Sequence, residues 1–227
     1  MYLILWILLI LVFANLLWRF ASKRFSLPCP VWLHRMVEMD NPFTRTNRAS
    51  EIIRLLNIQP GMSVLDAGCG PGRLTLPLAR SVGECGNVTA LDVQQGMLDR
   101  VRKKIMAQGA GNVDLVEGGL GDGILPRKRF DRALLVTVLG EIPEKARAID
   151  EIFGALKPGG VLSVTEVIFD PHFLTMRRVA EVAEKAGFIK GSFFGHKLAY
   201  TYHFIKPGGR EPYLVNGDDD PNREDGK

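Results

Sequence analysis

From Val64 to Thr75 the chain reads Val-Leu-Asp-Ala-Gly-Cys-Gly-Pro-Gly-Arg-Leu-Thr, an apolar strand-like run that passes through three glycines at alternate positions into a helical pattern. Few local structures accept such a run. Glycine turns the backbone sharply and lets it approach a ligand closely, and the free amides at the following helix start favour a carboxylate or phosphate. The segment therefore has the shape of a nucleotide cradle, set against the plainer reading of a tight strand-to-helix turn with no ligand. The dinucleotide spacing G-x-G-x-x-G is not met, because Pro71 and Gly72 follow Gly70.

Around this turn, apolar runs alternate with helical patterns. Ser63 to Ala67, Val88 to Asp92, Val113 to Glu117, Arg132 to Val136 and Val161 to Ile168 read as strands, and Leu74 to Ser81, Gly96 to Gln108, Glu144 to Leu156 and Leu174 to Ala186 as helices. Alternation of this kind implies crossover connections and a largely parallel sheet covered on both faces. A chain of 227 residues with 46% hydrophobic and 24% charged side chains holds one such domain and is neither fibrous nor wholly disordered. The second strand ends in Asp92, about 20 residues beyond the glycine turn, where a carboxylate accepts hydrogen bonds from ribose hydroxyls or caps the next helix.

Together, Asp66-x-Gly68-x-Gly70-x-Gly72, Asp92 followed by Met97-Leu98, Phe130-Asp131 and Leu156-Lys157-Pro158-Gly159-Gly160 resemble the class I S-adenosylmethionine-dependent methyltransferases. The resemblance runs from about Gly61 to Lys206, and within the superfamily it is nearest the small-molecule branch typified by the ubiquinone/menaquinone biosynthesis C-methyltransferases. It implies an α/β, Rossmann-like, doubly wound seven-stranded sheet with one antiparallel strand, for which Gly191 to Gly195 and Tyr200 to Ile205 are the candidate last two strands. It also implies S-adenosylmethionine as cofactor. Gly68, Gly70 and Gly72 would approach the methionine part, with Asp66 beneath it. Asp92 and the adjoining Val93 would lie at the ribose, and Met97 near the adenine. One position departs from the pattern: Gly119 stands where the family often has an acidic residue facing the adenine amino group, and Asp122, in the same loop, is the candidate substitute.

Methyl transfer from a sulfonium asks mainly for alignment and exclusion of water. The acceptor is expected at the carboxyl ends of the strands. There Glu141 and Glu166 are candidate catalytic groups, either to remove a proton from the acceptor or to pair with a cationic headgroup. Their plainer roles are a helix-entry residue and a salt-bridged strand residue, and His172, His196 and His203 rank below them. No His, Cys, Asp or Glu group recurs at metal-ligand spacing, so no metal is expected.

Charge is informative by its distribution. The formal net charge of +4 is too small to make nucleic acid a partner. Residues 1–18 carry no charge and are interrupted by Asn15; as a helix they would span about 27 Å. Arg19, Lys23 and Arg24 follow, the flank of an anchor rather than of a cleaved signal peptide. The expected organisation is a single transmembrane helix over 1–20, a basic juxtamembrane connector with N-terminal helices over 21–60, the methyltransferase domain over 61–206 on the cytoplasmic side, and a disordered acidic tail over 207–227. Cys29 is a candidate acylation site or an ordinary loop thiol, and Arg45 is a candidate for facing the methionine carboxylate or an anionic acceptor. The expected partners are the membrane and a lipophilic small-molecule or lipid substrate; oligomeric state is left open.

Overall fold

The computed structural model describes residues 47–208, together with Leu5, Trp6, Ile7, Leu9, Ile10, Phe13 and Leu17. Elements follow in the order α1 (Ala49–Leu55), β1 (Ser63–Ala67), α2 (Thr75–Val82), β2 (Asn87–Asp92), α3 (Gln95–Gln108), β3 (Val113–Glu117), β4 (Phe130–Val136), α4 (Lys145–Ala155), β5 (Leu156–Val167), α5 (Met176–Lys185), β6 (Ile189–His196) and β7 (Ala199–Ile205). The sheet order is β3-β2-β1-β4-β5-β7-β6. Strands β1 to β5 pair in parallel, and β7 runs antiparallel to both β5 and β6. This is the expected seven-stranded sheet with one reversed strand. The chain turns back beside β1, between β2 and β4, and there the crossovers leave a crevice at the carboxyl ends of the strands.

Alternation along the strands divides the apolar side chains between two layers. Leu65, Leu91, Leu135, Leu162 and Val164 face Ile149 and Ile152 of α4 and Val179 and Ala183 of α5. On the other face Val64, Val88 and Leu134 meet Ile52 and Leu56 from the α1 segment and Leu78 and Val82 of α2. Ala90 packs with Leu98 and Val101 of α3. The α1 segment, placed in the connector by its position before Gln59-Pro60-Gly61, thus belongs to the core of this layer.

Strand β5 begins five residues earlier than its apolar run. Lys157 to Gly160 lie between the expected helix and the expected strand, yet Gly159 donates to the Lys206 carbonyl and Lys206 to that of Gly160, which carries the strand through a bulge against β4. The family-like segments here are structural. Asp131 accepts from the Ser63 amide at 2.9 Å and pairs with Lys157 at 2.7 Å, clamping the amino-terminal end of the sheet far from the strands' carboxyl ends.

No helix of the described residues is long and apolar enough to cross a membrane. Most of the expected anchor, the connector up to residue 46 with Cys29 and Arg45, and the tail from residue 209 lie outside the described residues. The seven N-terminal residues that are described are helical, and all are exposed.

Candidate active site

The site is built from the glycine turn. Gly68, Gly70 and Gly72 adopt φ values of 70°, 52° and 84°, the left-handed region that glycine enters without steric cost. The amides of Gly68 and Cys69 donate to the Leu91 carbonyl at 2.8 and 2.9 Å, stitching the turn to the end of β2. Space there is tight: a Cβ on Gly68 would fall 2.5 Å from Cγ2 of Val138, and one on Gly72 would fall 3.1 Å from Val101.

Asp92 closes the cradle. Its Oδ2 accepts from the Gly70 amide and its Oδ1 from the Gln94 amide, both at 2.8 Å. A carboxylate has about four lone-pair sites, so acceptor capacity remains beside these backbone bonds for a hydroxyl of a bound ribose. Burial pushes its carboxyl up, against the pull of those backbone hydrogen bonds. Asp92 does not cap α3, whose N-cap is Gln94 and carries no side-chain cap hydrogen bond. Val93, beside it, is exposed, whereas Met97 is buried on the first turn of α3.

Asp66 lies under the turn on the same sheet face as Asp92, two residues along β1 from Val64. Its Oδ2 accepts from Thr75 Oγ1 at 2.6 Å. Burial raises its carboxyl to about 6, with the Thr75 hydrogen bond and the Arg73 charge opposing. Thr75 opens α2, and its buried hydroxyl, which sequence reading did not single out, holds the carboxyl in place; a threonine at a helix start facing a strand carboxylate is the signal that marks it.

The loop after β3 places Asp122 beside Gly119. Asp122 Oδ2 accepts from the Gly119 amide at 3.2 Å, and a Cβ on Gly119 would meet that same oxygen at 2.7 Å. The carboxylate thus fills the space of the side chain that Gly119 lacks.

At the far side of the crevice, the loop after β4 links the cradle to an acidic cluster. It begins with Thr137 at φ 56°, a left-handed conformation costly for a β-branched residue, held by its amide donating to Thr165 O at 2.9 Å. Val138 then covers Gly68. Gly140 lies so close to the His172 backbone that a Cβ would collide with its carbonyl. Beyond it Glu141 Oε1 is 3.8 Å from His172 Nδ1, and Asp170 Oδ1 is 3.9 Å from the same nitrogen. Glu166, 1% exposed at the end of β5, accepts from the Leu174 amide at 3.2 Å. Burial is the main cause that raises its carboxyl to about 8, with Asp170 and Glu141 adding to it and Lys145 opposing. The structure thus brings Glu141 close to His172 and within electrostatic reach of Glu166. By contrast, His203 is buried on β7 against Phe194, on the opposite sheet face from Glu166, and His196 is exposed at the end of β6. Among the described residues no group of His, Cys, Asp and Glu is arranged to hold a metal ion.

The residues fit S-adenosylmethionine on geometry: a glycine cradle without room for side chains, a rim carboxylate with spare acceptors, and a buried carboxyl that a cationic ligand would ionise. Comparison with known proteins agrees. Residues 64–160 match the family model described as a methyltransferase domain. The chain is 32% identical over 113 residues to a demethylmenaquinone methyltransferase of Listeria welshimeri, covering 50% of this chain and 48% of that protein. It is 37% identical over 117 residues to a ubiquinone/menaquinone biosynthesis C-methyltransferase of Vibrio vulnificus, covering 50% of this chain and 45% of that one. The chain thus spans about half the length of the curated relatives it matches. A SAM-dependent methyltransferase from Aquifex aeolicus superposes with a TM-score of 0.70 at 21% identity, over 79% of this chain and 100% of that one. The [4+2]-cyclase SpnF also superposes, with a TM-score of 0.64 at 21% identity over 71% of this chain and 81% of that one, so the fold alone does not name a reaction. Residues 64–160 are thus similar to a methyltransferase domain, on a sheet order and glycine cradle that the S-adenosylmethionine-dependent methyltransferase fold shares.

Proposed function

We propose that the protein transfers the methyl group of S-adenosylmethionine to a small lipophilic acceptor of the quinol or phenol kind, at a membrane surface. The observation that carries this reading is the continuity of the loop after β4, which seats Val138 on the cofactor turn and Gly140 on the buried acid and imidazole cluster. Cofactor and acceptor ends are then one loop apart. Gly68, Gly70, Gly72 and Asp66 line the methionine end, Asp92 and Val93 the ribose, and Met97 and Asp122 the adenine, with Asp122 standing in for an acid at Gly119. The cofactor supplies an activated methyl; the protein aligns the acceptor and keeps water out, which accounts for most of the rate enhancement.

Two features support a lipophilic acceptor. The curated relatives are quinone-methylating enzymes by their names. The first 18 residues are an uncharged apolar run followed by Arg19, Lys23 and Arg24, and the described side chains within it are helical and exposed. An anchor there, with the domain on the cytoplasmic side, would hold the active site close to the headgroups and raise the effective concentration of a bilayer-resident acceptor.

The test is to incubate detergent-purified full chain with methyl-labelled S-adenosylmethionine and either a membrane-lipid extract or a soluble-metabolite extract. Label in a quinol or phenol of the lipid fraction is the expected result. Label only in soluble metabolites overturns the acceptor class, and absence of label with intact cofactor binding overturns the activity.

A further inference from the structure

His172, like His203, is a buried imidazole that the fold leaves without a hydrogen bond among the described residues. It lies in the loop between β5 and α5, 6% exposed, and neither ring nitrogen has a hydrogen-bond partner among the described residues. Oε1 of the buried Glu166 is likewise unpartnered among them. Buried polar atoms are nearly always satisfied, and those left open at the carboxyl ends of parallel strands point to a polar ligand that completes them.

The two orphans differ in chemistry. Nδ1 of His172 is the nitrogen that faces carboxylates, Glu141 on the loop after β4 and Asp170 on its own loop. With Nδ1 turned toward those carboxylates, Nε2 is the nitrogen left to meet an acceptor. Glu166, its carboxyl raised to about 8 by burial, carries its proton at neutral pH and offers an O–H donor. The remaining charges about the cluster are Lys145 at the start of α4, whose Nζ donates to the Ile142 carbonyl at 2.6 Å, and Arg178 on α5. Neither is paired in a hydrogen bond or ion pair with His172. A site with one base and one neutral donor matches an acceptor carrying an acidic hydroxyl and a second oxygen.

We propose that His172 is the catalytic base for a hydroxyl-bearing acceptor, with Glu141 and Asp170 as its positioning residues and Glu166 as the hydrogen-bond donor to the acceptor's second oxygen; this rests on the methyltransferase reading above. The acceptor's O–H bond breaks, its proton passing to Nε2 and its electron pair staying on the acceptor. A pair from the acceptor then forms the bond to the methyl carbon as the carbon–sulfur bond breaks, that pair remaining on sulfur. The imidazolium afterwards returns its proton to water. Glu141 and Glu166, the two carboxyls first considered as bases, are thereby assigned supporting roles: one orients the imidazole and the other is protonated.

The test uses the full chain in detergent, saturated with S-adenosylhomocysteine, and 4-nitrophenol as the probe, whose phenolate absorbs visible light and whose phenol does not. Expected is a bound probe that ionises at least one pH unit below the free probe, with about tenfold less phenolate in His172→Gln at the same pH. Glu141→Gln, which leaves the imidazole in place, gives an intermediate shift. Unchanged S-adenosylhomocysteine affinity shows that each variant is folded; if His172→Gln is not, Glu141→Gln decides by the same criterion. A probe that fails to bind, a probe that titrates as it does free in solution, or variants indistinguishable from the wild type overturns the proposal. This readout needs no turnover, so a failure to methylate any lipid leaves a positive probe shift standing and counts against the proposed function alone.

Discussion

Val138 occupies the volume in which a side chain at Gly68 would lie, its Cγ2 standing 2.5 Å from where a Cβ would be. The same contact couples the cofactor turn to the loop that leads to Glu141, so the two ends of the site are expected to respond together. Gly68→Ala is predicted to weaken S-adenosylmethionine binding at least tenfold, through both the collision and the left-handed φ of 70°. The double variant Gly68→Ala/Val138→Ala relieves the collision alone and recovers only part of that loss. Isothermal titration of the three proteins checks this; full recovery would show that φ contributes nothing.

Asp92→Asn replaces an acceptor with an amide donor that faces a backbone N–H at Gly70 or Gln94. One cradle hydrogen bond is then lost whichever way the amide is turned. Affinity for S-adenosylmethionine should fall about 10- to 100-fold, in line with a charge-assisted hydrogen bond of about 1.5–3 kcal/mol. Thermal stability falls much less. An unchanged dissociation constant contradicts the placement of Asp92 at the ribose.

Asp66 gives binding a pH dependence. Its carboxyl is raised to about 6 in the free protein, chiefly by burial, and a cationic ligand above it favours the ionised form. Binding then releases a proton, and affinity rises as pH increases through about 6. Titrations in two buffers of different ionisation enthalpy at pH 6 should differ by that proton. Asp66→Asn should abolish the difference.

Glu166 has its folded carboxyl raised, from an ordinary 4.5 to about 8, with burial as the largest cause. The proton is therefore held more tightly in the folded state. Its contribution to stability is fully present below about 4.5 and is lost as pH rises through 8, at up to about 1.4 kcal/mol per pH unit. Urea denaturation across pH 5 to 9 should show the wild type losing stability relative to Glu166→Gln. Parallel curves would mean that the carboxyl is ionised in the fold.

His203 has the opposite sign. Burial, aided by Arg132, lowers its imidazole to about 3. The folded protein keeps it neutral, so its contribution is fully present above about 6.5 and is lost as pH falls through 3. The variant His203→Phe should resist denaturation at pH 4.5 better than the wild type does, relative to their difference at pH 7. An equal loss in both would place the acid sensitivity elsewhere.

What the sequence determined by itself was a parallel sheet covered on both faces and the glycine turn at the end of its first strand. Hydrophobic periodicity and the glycine turn are local signals, and Gly68, Gly70, Gly72 and Asp92 all act within one strand-turn-helix unit and the strand after it. The reversed strand β7 was expected from the family resemblance, with Tyr200 to Ile205 as its candidate, and not from the periodicity. Tertiary structure decided the rest, since burial and proximity depend on residues distant in the chain. Lys157 to Gly160 became strand only because Lys206 pairs with them. Glu166 reads as an ordinary strand carboxylate until the loop carrying Leu174 folds over it and removes its water. His172, one weak candidate among three histidines, gained its two carboxylates from Glu141, 31 positions earlier, and from Asp170, whose turn points its side chain back at the ring. No spacing in the sequence encodes that meeting, because it is set by how two loops close over the ends of β4 and β5.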